Sequence, residues 1–164
     1  MKKEFIYFDY ASTSPLSSNV LEKINFANSY YWGNVSATYE YGIECLLELE
    51  SLRSNIAKIL NANSEDIIFT SGASESISIV FNKVSDSFDP NNIVISEVEH
   101  QATFISSNIL KKRGWKIKEW DVDNNGITKL SKLDEYINSK TKFISIIWGQ
   151  SEIGSLQPIQ FIGK

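Results

Sequence analysis

In IIFTSGASESISIVF, residues 67–81, strand-forming residues give way to small polar ones and then to apolar residues at helical spacing. Gly72 lets the chain turn tightly. Ser71, Ala73 and Ser74 bring amides and hydroxyls to the start of a helix on which Ile77, Val80, Phe81 and Val84 share one face. Unpaired amides at a helix N-terminus, aided by its dipole, can hold a phosphate dianion. The same letters also fit a turn in which Ser71 caps the helix and no anion binds. His100, in SEVEHQATF, is the single histidine of the chain. An imidazole there can act as acid or base near neutral pH, stack on a flat ligand, or serve as an ordinary surface or core residue. In IIWGQSEIG, Ser151 offers a hydroxyl to a ligand oxygen and Glu152 can cap a helix or pair with a base, although ordinary turn chemistry accounts for both.

Other reactive residues carry less. Glu97 and Glu99 flank Val98, and strand alternation points both the same way, which reads as a solvated face rather than an acid/base pair. Cys45 sits between Glu44 and Leu46 on a helical pattern, a packing position. With one cysteine and one histidine there is neither a disulfide framework nor a metal site to expect, and a reducing cytoplasm fits.

Composition narrows the class further. The 164 residues are 42% hydrophobic, enough for one domain with a real core. The formal charge is −4, and the 16 basic residues are scattered apart from Lys111, Lys112 and Arg113, so no nucleic-acid surface is expected. The opening MKKEFIYFDYAS has too short an apolar run for a secretory signal, and no stretch approaches the roughly 20 apolar residues that span a bilayer. A soluble protein without membrane contact follows as the expectation.

The candidate residues need elements to hold them. Spacing predicts helices over 17–30 and 43–60, joined by the aromatic-rich YYWGNVSATYEYG, a loop that packs against something. Strands are expected at 66–70, 92–96, 116–120 and 142–147, with helices near 74–85, 101–113 and 130–138 between and after them. That alternation predicts an α/β fold with a mostly parallel sheet and flanking helices. In such sheets ligands gather at the carboxyl ends of the strands, where SGASES, EVEH and GQSE would lie, whereas KRGW belongs to the opposite edge.

Six stretches together resemble the class V aminotransferases of the fold-type I, pyridoxal-phosphate-dependent enzymes, in particular the cysteine desulfurases of iron–sulfur cluster assembly. They are YFDYASTSP (7–15), GNVSATYEYG (33–42), DIIFTSGASESISI (66–79), ISEVEHQATF (95–104), WDVDNNGITKL (120–130) and SIIWGQSEIGSLQPI (145–159), in the family's order and similar spacing over essentially the whole chain.

The resemblance implies that Ala73 and Ser74 bind the phosphate of pyridoxal 5'-phosphate. It also implies that His100 stacks on the cofactor ring and assists proton transfer, and that Asn34 lies near the substrate pocket. Ser151 stands where desulfurases usually carry an asparagine that contacts the cofactor's phenolic oxygen and the substrate carboxylate; related aminotransferases use serine. A hydroxyl reaches less far and lacks the two amide donors. The reaction implied is conversion of cysteine to alanine, with the sulfur left as a persulfide on an enzyme cysteine; a homodimer and a sulfur-acceptor protein are the implied partners.

By the family's pattern, residues 1–30 form an N-terminal segment and 31–164 the first half of the cofactor-binding large domain. The Schiff-base lysine, the aspartate that pairs with the pyridine nitrogen and the catalytic cysteine would lie beyond Lys164, which is not itself that lysine. The expectation is an incomplete cofactor site, no turnover by residues 1–164 alone, and a 66–70 strand without its sheet neighbours and with apolar surface exposed. Two further readings stand beside this one: another aminotransferase, epimerase or lyase of the same class, and a non-catalytic fragment or gene remnant.

Overall fold

Residues 6–163 are described by the computed structural model, which divides into two units, Met1–Phe69 and Thr70–Lys164. The first five residues of the 1–30 segment and Lys164 lie outside the described residues.

In the first unit, Ser17 starts α1 (Ser18–Tyr30) as expected from its type, its hydroxyl accepting the Val20 amide at 3.4 Å. α2 (Glu40–Leu60) begins three residues before the expected Ile43 and ends at Asn61, which takes the left-handed conformation (φ 52°) common at helix C-termini. Between them the GNVSATYEYG loop is folded tightly. The Asn34 side-chain oxygen accepts the Ser36 amide and its carbonyl accepts the Ala37 amide, both at 3.0 Å. Gly42 is pressed against this loop, and a Cβ there would come within 2.8 Å of the Asn34 carbonyl. Trp32 meets Tyr41 edge-on at 5.1 Å, so the aromatic loop does pack, and Cys45 is buried in the same place.

The helical periodicity of this unit is correct, but its apolar faces are uncovered. No residue of α1 is buried, and Val20, Leu21, Ile24, Leu47 and Ile59 are all exposed. The expected strand at 66–70 does not form. Ser64–Asp66 make a single 3-10 turn, and the residues after it run without a ladder partner among the described residues. Ile67 has extended angles (φ −92°, ψ 118°), so the local preference is present and the neighbouring strand is not. Arg53 of α2 fills part of the gap, donating to the Ile67 carbonyl and placing its guanidinium over the Phe69 ring.

The second unit is built on three parallel strands in the order β2-β1-β3, with β1 at Asn92–Ser96, β2 at Lys116–Trp120 and β3 at Thr141–Ser145. Central β1 is buried at all five positions, as a strand covered on both faces must be. Ile93 and Ile95 face α3 (Ala73–Ser87) and α4 (Gln101–Lys112), forming a core with Phe81, Val84, Leu110 and Trp115. Burying each of these large side chains contributes about 1.5–3 kcal/mol. Val94, Ser96 and Trp120 share the opposite face by register. That face is covered by residues after β2: Tyr136 stacks on Trp120 at 5.4 Å, and Lys118 donates to the Glu135 carbonyl.

Where one helix is expected at 130–138, the chain makes a 3-10 turn (Leu130–Lys132) and the one-turn α5 (Leu133–Tyr136). Tertiary contacts set its shape. Asp121 accepts hydrogen bonds from Lys129, Lys132 and the Tyr136 hydroxyl at 2.8–2.9 Å. Those three donors, Lys129 first, hold the Asp121 carboxyl well below the usual carboxylate range. A depressed folded pKa adds stability that is present above the unfolded value, about 3.9, and is lost as pH falls through the folded one. Asp121→Asn is expected to lower the thermal midpoint at neutral pH and to flatten its decline below about pH 4, as followed by circular dichroism.

Among the described residues no helix is long and apolar enough to cross a membrane.

Candidate functional site

Because the three strands are parallel, their carboxyl ends share one edge, and the residues that follow them share one rim. After β1 come Glu97, Glu99 and His100; after β3 the chain runs through Ile147 to Gln150, Ser151 and Glu152. These residues, with Val98, Gln101 and Phe104, line an open cavity of about 350 Å³. His100 and Ser151 are therefore brought together. The Arg113–Gly114–Trp115 turn enters β2 at the other edge, as expected.

His100 is exposed and is the N-cap of α4, with Nδ1 accepting the Ala102 amide at 3.1 Å. With Nδ1 accepting, the hydrogen the ring has to offer is the one on Nε2. As held, it can donate from Nε2 or present a flat face. Accepting a proton at Nδ1 would break the cap. Of the roles open to this histidine, the geometry favours donation and stacking over action as a base.

The loop that carries Ser151 is closed by its neighbour. Gln150 Oε1 accepts the amides of Glu152 and Ile153 at 2.6 and 2.8 Å, which engages the oxygen of that side chain, and Ser151 is exposed. Among the described residues the Ser151 hydroxyl has no hydrogen-bond partner. Buried Gln157 anchors the far end of the loop, accepting from the Thr128 amide at 2.9 Å and donating to the Gly126 carbonyl at 2.7 Å.

Glu97 and Glu99 depart from the expectation that they point the same way. Glu97 Oε2 accepts the Val122 amide on the β2 side at 3.3 Å, whereas Glu99 Oε1 accepts the Ser96 hydroxyl at 2.8 Å and the Ile147 amide on the β3 side. The turn after β1 breaks strand alternation at Val98, so the two diverge. Glu99 is half-buried and not on a solvated face: it clasps the ends of β1 and β3 beside His100. Sequence inspection missed this residue. Its only signal was its place next to His100, because the partner Ile147 lies 48 positions away.

Ala73 and Ser74 begin α3 and do not line the cavity. A short link joins the end of α3 to β1, and the helix packs along the sheet, so its first turn lies toward the strands' carboxyl ends. The N-cap is Gly72, not Ser71, and no side chain caps the helix. Gly72 has φ 158° and ψ 179°, a region that residues with a Cβ avoid, and the space a Cβ would occupy is empty. Among the described residues the amides of Ala73, Ser74 and Glu75 have no acceptor, being the first amides of a helix that nothing caps. Three open donors at a positive helix end, reached through open space, fit a phosphate group. Asn34 belongs to the other unit, where its side-chain oxygen is already held by the Ser36 amide.

The chain is similar to known proteins along its length. A family model described as Aminotransferase class-V matches residues 6–164. Cysteine desulfurase IscS of Dictyoglomus turgidum is 35% identical over 166 residues, covering 100% of this chain and 42% of that protein. The mitochondrial cysteine desulfurase of Saccharomyces cerevisiae is 32% identical, covering 96% of this chain and 32% of its own length. Among solved structures, a NifS-like protein aligns with a TM-score of 0.92 at 31% identity, over 96% of this chain and 44% of that one. A structure titled SspA in complex with cysteine aligns with a TM-score of 0.84 at 28% identity, covering 96% of this chain and 46% of that one. The chain thus spans less than half the length of these relatives. Its parallel sheet with flanking helices is the architecture of part of a fold-type I enzyme. With that match and this architecture, the chain belongs to the class V aminotransferase family.

Proposed function

We propose that these residues supply the phosphate and ring contacts of a pyridoxal-phosphate site in an enzyme that converts cysteine to alanine and leaves the sulfur as an enzyme-bound persulfide. The observation that supports the reading is the uncapped first turn of α3, whose amides of Ala73, Ser74 and Glu75 have no acceptor among the described residues. Pyridoxal phosphate, when bound, supplies an electron sink. Ala73 and Ser74 would hold its phosphate, His100 would stack on its ring and donate from Nε2, and Ser151 would donate its hydroxyl to an oxygen of cofactor or substrate. Asn34 would approach the substrate through its amide nitrogen, its oxygen being engaged in the loop. The division into a segment 1–30 and a large-domain half 31–164, a homodimer, a reducing cytoplasm and an acceptor protein for the sulfur belong to the same proposal.

One residue favours a second reading. Ser151, with a single short donor in place of an amide, suits an aminotransferase, epimerase or lyase of the same class acting on another amino acid.

The site is tested by titrating the purified protein with pyridoxal phosphate while following amide exchange. Protection of the Ala73 and Ser74 amides supports the cradle, and no binding at millimolar cofactor overturns it. The same proposal includes that residues 1–164 by themselves release no alanine from cysteine, and alanine release by that purified polypeptide would overturn it.

A further inference from the structure

The turn that precedes α3 is stitched together by its own side chains. Glu75 folds back, and its Oε2 accepts both the amide of Ser71 at 2.6 Å and the Ser71 hydroxyl at 2.8 Å. Thr70 Oγ1 lies 2.8 Å from Ser76 Oγ and donates to the Gly72 carbonyl at 3.2 Å. These bonds remove both donors of Ser71 from reach of any ligand. They leave untouched the amides of Ala73, Ser74 and Glu75, which open the helix.

We infer that Glu75 is a positioning residue for the phosphate cradle: by engaging both donors of Ser71 it fixes the turn so that an anion is taken by the Ala73 and Ser74 amides. The inference rests on the reading of this turn as the cofactor's phosphate site. A carboxylate that competed with phosphate would sit on the helix amides. Here both partners of Oε2 belong to Ser71, which precedes the helix, so carboxylate and phosphate can be held together. The pairing is firm: the Ser71 amide, and then its hydroxyl, hold the Glu75 carboxyl below the usual range, so it stays ionised at neutral pH. Near the helix N-terminus that charge also meets a favourable dipole. Gly72 lies between the residue that is clamped and the amides that stay open. A turn at so unusual a backbone conformation needs something to hold it.

The test uses inorganic phosphate and pyridoxal phosphate as probes on the purified protein, with the Ala73 and Ser74 amide resonances and the unfolding midpoint recorded separately. Glu75→Ala is expected to weaken both ligands about tenfold, the loss of one good charge-assisted hydrogen bond. Glu75→Gln keeps an oxygen acceptor and is expected to restore binding to within about threefold of the wild type, which a purely structural role would not produce. Should Glu75→Ala fail to fold, Ser71→Ala removes one of the two bonds and gives an intermediate loss. Unchanged affinity in the variants that fold overturns the proposal. Tighter binding in both Glu75 variants overturns it in favour of a competing carboxylate. Absence of binding by the wild type overturns the reading of the site and this inference with it.

Discussion

His100→Asn is expected to lower turnover by about a hundredfold in the catalytically competent protein while leaving α4 intact. Asparagine is among the best N-cap residues, so it can take over the bond that His100 Nδ1 makes to the Ala102 amide. What it cannot supply is the flat ring and the Nε2 donor. Loss of stacking is expected to weaken cofactor binding by about threefold to tenfold. In the role proposed for His100, loss of its Nε2 donor accounts for the larger fall in rate. His100→Ala removes the cap as well and is expected to lose a further ~1 kcal/mol of stability. The pair separates the two roles: kcat and cofactor Kd follow the ring, and the unfolding midpoint follows the cap. An unchanged kcat in His100→Asn would remove the histidine from the chemistry.

Glu99→Ala is expected to destabilise the second unit by about 2–4 kcal/mol. Its carboxylate is the acceptor for the Ser96 hydroxyl and the Ile147 amide, and Ser96 has no exposed surface at all. Removing the acceptor leaves a buried hydroxyl and a half-buried amide unpaired, at about 1–3 kcal/mol each. The substitution also unties the end of β3 from the end of β1, so the loop with Ser151 loses its fixed relation to His100. Urea denaturation measures the first effect, and pyridoxal phosphate affinity under folding conditions measures the second. Glu99→Gln keeps an oxygen for one of the two donors and should fall between. A midpoint within error of the wild type for Glu99→Ala would show that the clasp contributes nothing.

Both predictions concern side chains whose partners could not be seen from the residues alone. His100 was visible as a candidate, because a histidine after a predicted strand at the loaded rim invites the reading. Its tautomer was not visible, since that depends on which nitrogen meets the Ala102 amide in the folded turn. Glu97 and Glu99 looked alike because alternation along a strand is a local rule, and the turn after β1 ends its validity. The strand expected at 66–70 failed for a similar reason. Its residues favour extended backbone, but a strand exists only where another lies beside it. The expected helix at 130–138 broke into two short pieces around Asp121, whose contacts with Lys129, Lys132 and Tyr136 outweigh the weak helical propensity of so short a segment.

The sequence by itself determined what depends on short-range order: four of the five expected helices, three of the four expected strands, the parallel α/β class, the glycine at the SGAS turn, and the family through six motifs in register. Periodicity, turn chemistry and motif spacing are properties of neighbouring residues and survive without a structure. Only the tertiary structure decided which polar groups remain available. It spends Ser71 on Glu75, Gln150 on its own loop, the Asn34 oxygen on Ser36 and Glu99 on Ile147, and leaves open the amides of Ala73 and Ser74, the His100 Nε2 and the Ser151 hydroxyl. A hydrogen-bonding group serves a ligand only if the fold has not already paired it; the pairings of Ser71, Gln150 and Asn34 join residues two to four apart and depend on the backbone path each turn takes in the folded chain, and that of Glu99 with Ile147 spans 48 positions.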